Sequence, residues 1–390
     1  MNQIRKYAPL ALALSLVFLI VFVLPKPPPQ RNLSGVIEIG VISPTDETYV
    51  EYKYLAGLAE DELNALCNES GLSISFSLNV SSGENSVARS MDIVMDSWRR
   101  GVDLFVAGGY HSQLTAMRSF VYDNQLLVVS PSSTNVDMNR DDYIIRMSPN
   151  DAEYAPALAP LLIDYGVDRV VLLGRESIVD REGGPFSNSY RVHGGEVIGT
   201  VTYPWEGSFN ASLGEAESIL EDHNVDSGAG VLLLDYISPD EIHLLSKPYN
   251  RLSDVQWINI EAYPYYSMNQ VPNVTGLKLL SPHPVLVPSE KTSVIGDLFE
   301  KEFGEELDFT DGCVYDSCIL LGRSIIELDS TNTSLLRNEL PGVAESYIGL
   351  TGPCGFDSNG DRSVYRMGLF MYDDKVSEWG LVRYYDHPLK

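Results

Sequence analysis

The sequence predicts an α/β fold of two lobes facing one another across a cleft. Three observations carry this expectation. Short apolar runs of strand length alternate with stripes of helical spacing along most of the 390 residues. The series breaks near Ser148 and begins again, as a second lobe would require. The buried runs end, on their carboxyl sides, in clusters of hydroxyl, polar or aromatic residues, and open α/β sheets bind their ligands beyond those ends.

The elements follow in order. Val36 to Ile42 is a first strand that ends in Ser43-Pro44-Thr45, and a helix runs from about Val50, with Leu55, Leu58, Ala59, Leu63, Leu66 and Cys67 on one face, to a stop at Gly71. Ile74 to Val80 alternates as a strand, and Val87, Met91, Val94, Met95 and Trp98 make the next helical stripe, a core stripe that stops at Gly101. Leu104 to Ala107 and Leu126 to Val129 are buried parallel strands on either side of a helix carrying Leu114, Met117, Phe120 and Val121, which together form a βαβ unit. Small and hydroxyl residues follow both strands: Gly108, Gly109 and Ser112 after the first, Ser130, Ser132, Ser133 and Thr134 after the second. Their hydroxyls and free backbone N–H groups suit a small anion such as a carboxylate.

From Arg146-Met147-Ser148-Pro149 the pattern restarts: helix from Asp151 to Tyr165, strands from Arg169 to Leu173 and Glu196 to Tyr203, helix from Ser212 to His223. Val231 to Leu234 is a buried strand ending in Asp235-Tyr236, and Trp257 to Ile260 is another ending in Glu261-Ala262-Tyr263. Leu277 to Leu280 is a further strand; helices follow from Ser289 to Phe303, from Cys313 to Leu328 and around Leu335 to Tyr347. A turn-rich crossing, Gly349 to Arg362, leads to terminal strands Tyr365 to Tyr372 and Glu378 to Tyr385.

Composition narrows the function. A 44% hydrophobic and 21% charged chain of this length folds around its own cores. With 27 basic against 54 acidic residues its net charge is −27, which disfavours nucleic acids and anionic membrane surfaces as partners. Residues 1–29 read as a targeting segment: Arg5 and Lys6 precede an apolar run from Ala8 to Leu24, and a proline-rich spacer follows. Without an A-x-A-like site it is either an uncleaved membrane anchor or an atypical signal peptide, and both place the remainder outside the cytoplasm. Six N-x-S/T sequons, at Asn32, Asn68, Asn79, Asn210, Asn273 and Asn332, fit an exported chain open to glycosylation. The four cysteines, Cys67, Cys313, Cys318 and Cys354, are either paired in an oxidising compartment or buried as small hydrophobes.

Three motifs carry the resemblance of these segments to a known family: GVISP at Gly40 to Pro44; the glycine pair and Ser112 followed by VVSPSSTN at Val128 to Asn135; and GLTGPCGFDSNGDR at Gly349 to Arg362. From about Val36 to Tyr385 the chain resembles the type I periplasmic binding proteins, in particular the branched-chain amino-acid binding proteins of ABC importers. The resemblance implies two doubly wound lobes joined by three crossovers, near Ser148, Ser281 and Leu350. The first lobe would take residues 36–148 and 281–350, the second 149–280 and 351–390. It implies that Ser112, Ser132 and Thr134 hold a ligand's carboxylate and part of its amine. Tyr236 would line the far wall, and Glu261 would meet the ammonium. It implies an ABC permease as partner and an amino acid or similar metabolite as ligand, with the ligand-binding ectodomain of a sensory system as the alternative.

Enzymatic chemistry and metal binding have little support. Tyr110 and Leu114 flank Ser112 where a nucleophile elbow has glycines. Asp357 to Asp361 resembles a calcium loop but has Arg362 in sixth place and Gly368 in twelfth, so a structural turn is expected. The histidines lack metal-ligand spacing. No catalytic residue, metal or cofactor is expected.

Overall fold

The computed structural model describes residues 32–204, 209–223, 228–234, 238–259, 274–373, 375 and 378–387. The segment 1–29, Tyr236, Glu261 and the sequon at Asn273 lie outside the described residues.

Two sheets organise the chain. The first has the order β2-β1-β3-β4-β5, from β1 (Gly35–Ser43), β2 (Ile74–Ser82), β3 (Leu104–Val106), β4 (Leu127–Ser130) and β5 (Ile144–Arg146), and every pairing is parallel. The side-chain period of two explains its double winding. Ile39, Val41, Leu104 and Val106 pack into one cluster, whereas Ile42, Phe105 and Ala107 pack into another on the opposite face. Both faces are dry, so the strands are continuous apolar runs and each needs a helical layer on either side.

The second sheet repeats this logic. Strands β6 (Arg169–Arg175), β7 (Glu196–Tyr203), β8 (Ala229–Leu233), β9 (Gln256–Asn259) and β10 (Lys278–Pro284) are parallel, with Val171 and Leu173 on one face and Val170 and Leu172 on the other. After a small pair, β11 (Ile348–Gly349) and β12 (Gly352–Pro353), the short β13 (Gly355–Phe356) and the antiparallel strands β14 (Arg362–Asp373) and β15 (Glu378–His387) complete it beside β10.

The chain passes between the sheets three times: after β5, after β10, and between the helix Thr333–Ala344 and β14. Between the second and third passages, helices Glu290–Phe303, Phe309–Leu328 and Thr333–Ala344 return to the first sheet, where Phe299, Ile319 and Leu336 join the cluster of Ile39 and Val41. Helix Phe309–Leu328 is buried on nearly every side, which its apolar composition allows. It starts four residues before the expected Cys313, because Asp308 and Asp311 form a reciprocal capping box.

The four cysteines are buried and none is in a disulfide, so their place is that of small core hydrophobes. At all five described sequons the asparagine is exposed. Among the described residues no helix is long and apolar enough to cross a membrane, and no group of three or more His, Cys, Asp or Glu could hold a metal ion. Asp357 instead folds back on its own loop, its Oδ1 accepting from Asn359 N and Asp361 N at 2.9 Å each. The turn reading of that motif is the one its hydrogen bonds fit.

Candidate functional site

The loop after β4 is the natural place to start, because its hydroxyls come from a buried strand end. Ser130 Oγ donates to Gly108 O at 2.9 Å, and Ser132 Oγ to Gly109 O at 2.9 Å, so the ends of β3 and β4 are tied together. Gly108 has φ +77°, a conformation most side chains resist, and a Cβ on Gly109 would crowd the Pro44 ring and the Tyr52 hydroxyl. That Tyr52 hydroxyl, buried, also hydrogen-bonds Ser132. From below, Ser148 Oγ donates to Pro131 O at 2.9 Å, and Arg146 Nη1 to Asn135 O at 2.7 Å. The loop from Pro131 to Asn135 is therefore fixed before any ligand arrives.

This loop forms one wall of a cavity of about 180 Å³ lined by Ser132, Thr134, Ser148, Pro149, Asp151, Tyr154, His283, Pro284, Phe309 and Thr310. These residues come from four places: the loop after β4, the first crossover with the following helix Asp151–Tyr165, the end of β10, and the start of helix Phe309–Leu328. The cavity thus lies against the crossovers. Its position follows from topology, since both sheets turn the carboxyl ends of their parallel strands towards the cleft.

The electrostatics of the cavity centre on Asp151. Burial pushes its carboxyl above the ordinary range, while the Thr134 hydroxyl and then the charges of Arg181 and Arg146 oppose the shift. Asp151 N also donates to Thr134 O at 2.8 Å, so this acid is bound to the loop through both main chain and side chain. His283 is pushed the other way: burial lowers its pKa and favours the neutral ring, whose Nδ1 lies 2.7 Å from Pro284 O. The Tyr154 hydroxyl donates to Pro282 O. Lined by hydroxyls, a neutral imidazole and one carboxylate, the pocket can accept hydrogen bonds from an ammonium or amide and pack a small apolar group on Phe309 and Pro149.

Of the residues expected from sequence, Ser132 and Thr134 line this cavity. Ser112 does not: it is exposed in the first turn of the helix His111–Asp123. Tyr236 and Glu261 lie outside the described residues. Sequence reasoning missed Asp151, Tyr154, His283 and Phe309. The signal for Asp151 was available, as an acid opening a helix directly after the Ser148 break, but it reads first as ordinary helix-dipole compensation.

Comparison with known proteins agrees with the geometry. Residues 56–204 match the family described as receptor family ligand binding region. No curated protein sequence matches the chain. Among solved structures, an ABC transporter substrate-binding protein from Desulfitobacterium hafniense in complex with Leu is 20% identical with a TM-score of 0.71, over 89% of this chain and 100% of that one. A leucine-binding protein from Thermotoga maritima MSB8 is 16% identical with a TM-score of 0.67, over 90% and 98% respectively. A solute-binding protein from R. palustris in complex with benzoate is 14% identical with a TM-score of 0.59, over 89% and 96%. The fold of this chain is that of the type I periplasmic binding proteins.

Proposed function

We propose that the protein is an extracytoplasmic solute-binding protein that captures an amino acid or similar small polar metabolite and presents it to an ABC permease. The observation that supports this reading is the cavity at the crossovers, where Ser132 and Thr134 of the loop after β4 and Asp151 and Tyr154 of the helix Asp151–Tyr165 together line a pocket of amino-acid scale. A ligand there touches both lobes only when they are closed, and so shifts the open and closed populations by its differential contacts. Residues 36–148 with 281–350, and 149–280 with 351–390, are the proposed moving units. Ser112, Tyr236 and Glu261 remain proposed contacts of the closed form. The segment 1–29 is proposed to export the chain and to tether it if it is retained. The role is binding without turnover.

The match to a receptor ligand-binding region supports a second reading, a sensory ectodomain with the same pocket. A thermal-shift screen of the full chain against amino acids, their amides, urea and short peptides tests the shared core of both. A true ligand at about 100 times its Kd adds roughly 2.7 kcal/mol of stability. A flat profile across the amino acids would remove the amino-acid reading. Reconstituted uptake with a permease would separate transporter from sensor.

A further inference from the structure

Beside the cavity stands one guanidinium whose role neither the core nor the crossovers explains. Arg181 sits in the π-helical turn Val179–Gly183 that follows β6, beyond the carboxyl end of a strand one place in from the edge of the second sheet. Its Nη2 donates to Glu182 Oε1 at 2.6 Å, and the Glu182 side chain is only 5% exposed, so the guanidinium is held by a buried anchor. The same nitrogen lies 3.9 Å from Asp151 Oδ2, beyond hydrogen-bond reach. Arg181 itself is 35% exposed. Opposite charges thus face one another at the cavity edge without closing a bond.

The cavity is short of positive charge. None of its described lining residues is a lysine or arginine, and burial favours the neutral form of His283. Arg146 is fully buried, with Nε and Nη2 both on Asp361. Four of the lining hydroxyls are already engaged as donors, Ser132 to Gly109 O, Thr134 to the Asp151 carboxylate, Ser148 to Pro131 O and Tyr154 to Pro282 O. A ligand carboxylate entering here meets Arg181 as its available cation.

We infer that Arg181 binds the ligand's carboxylate while Asp151 takes its ammonium, so that the second lobe alone carries a two-charge clamp for α-amino acids. This rests on the proposed amino-acid reading and deepens it. In an α-amino acid both charged groups hang from one carbon, which matches two protein charges standing side by side. The inserted zwitterion completes an alternating ring of charge, and charge-assisted, bidentate pairing is what a guanidinium offers a carboxylate. The Ser132 and Thr134 oxygens then serve as acceptors from the ammonium rather than as the main anion donors.

The test compares the full chain with Arg181→Gln and Arg181→Lys by calorimetry, using the tightest-binding amino acid of the twenty and its primary amide, which keeps the ammonium and loses the carboxylate. The parent should prefer the acid over the amide by about tenfold to a hundredfold. Arg181→Gln should weaken the acid by that factor and leave the amide within about twofold, abolishing the preference, while Arg181→Lys should fall between. Should Arg181→Gln melt below the working temperature, an unchanged acid-to-amide ratio in Arg181→Lys overturns the inference by itself. A preference retained in Arg181→Gln overturns it and leaves the amino-acid reading intact. Absence of any amino-acid binding to the parent removes both.

Discussion

Arg146, the last residue of β5, and Asp361, the residue before β14, form an ion pair across the first and third crossovers, with side chains 0% and 2% exposed. Asn150 Nδ2 adds a bond to Asp361 Oδ2 at 3.0 Å, and Arg146 Nη1 reaches up to Ser133 O and Asn135 O. The next residue continues the knot. Arg362 donates to Met147 O, Thr351 O, Pro353 O and Thr351 Oγ1, and Thr351 Oγ1 in turn donates to the buried Asp316 carboxylate at 2.6 Å. Two buried charge centres therefore pin the crossovers together and support the loop from Pro131 to Asn135 from beneath.

Removing one partner of this pair should be costly. Asp361→Ala leaves the Arg146 charge buried and unpaired, a loss expected at about 3–5 kcal/mol in urea unfolding. The double variant Arg146→Met/Asp361→Leu should recover much of it, because replacing both charges removes the desolvation cost as well. A double variant no more stable than Asp361→Ala would show that the pair matters for something other than paired charge.

Stability should carry a pH signature from Asp311. Burial, and then the Asp308 charge, push its carboxyl from 3.8 up to about 8. The folded state then holds a proton that the unfolded chain gives up between about pH 4 and pH 8, so this group costs stability progressively as pH rises through that window. Asp311→Asn removes the cost and keeps an oxygen for the Asp308 amide. Its melting temperature should match the parent near pH 4 and exceed it increasingly towards pH 8. A constant offset across that range would contradict the assignment.

The thiols should be silent in the native protein. All four cysteines are buried, and burial raises the pKa of Cys313, Cys318 and Cys354. Reaction with a thiol reagent should therefore be slow until denaturant is added, after which four equivalents appear. Two or fewer after denaturation, rising to four only with reductant, would reveal disulfides.

Much of the fold was legible because its strands are buried on both faces and its helices are striped. The helix Asp151–Tyr165 and the strand Glu196–Tyr203 occupy the bounds the pattern gives. The strand Ile144–Arg146 did not show, being three residues long and without alternation to read. The helix Gly184–Val192 was hidden by Gly183-Gly184-Pro185, which reads as a breaker although proline is welcome in a first helical turn. One wall of the cavity was visible as hydroxyls at a strand end, Ser132 and Thr134, two of its ten lining residues. The rest was not, because Asp151, His283 and Phe309 are brought together only by the crossovers, and no local spacing connects them.

The central claim is that this cavity holds a zwitterion whose ammonium meets Asp151. Calorimetric titration of the full chain and of Asp151→Asn with the amino acid that most raises the melting temperature tests it most directly. Asn keeps the shape and an acceptor for Thr134 but removes the charge, so loss of the charge-assisted bond, about 1.5–3 kcal/mol, should weaken binding roughly tenfold to a hundredfold. Binding by the parent should also decline as pH falls through the raised Asp151 pKa, and that decline should vanish in the variant. Equal affinity in parent and Asp151→Asn, with the same pH profile, would contradict the claim.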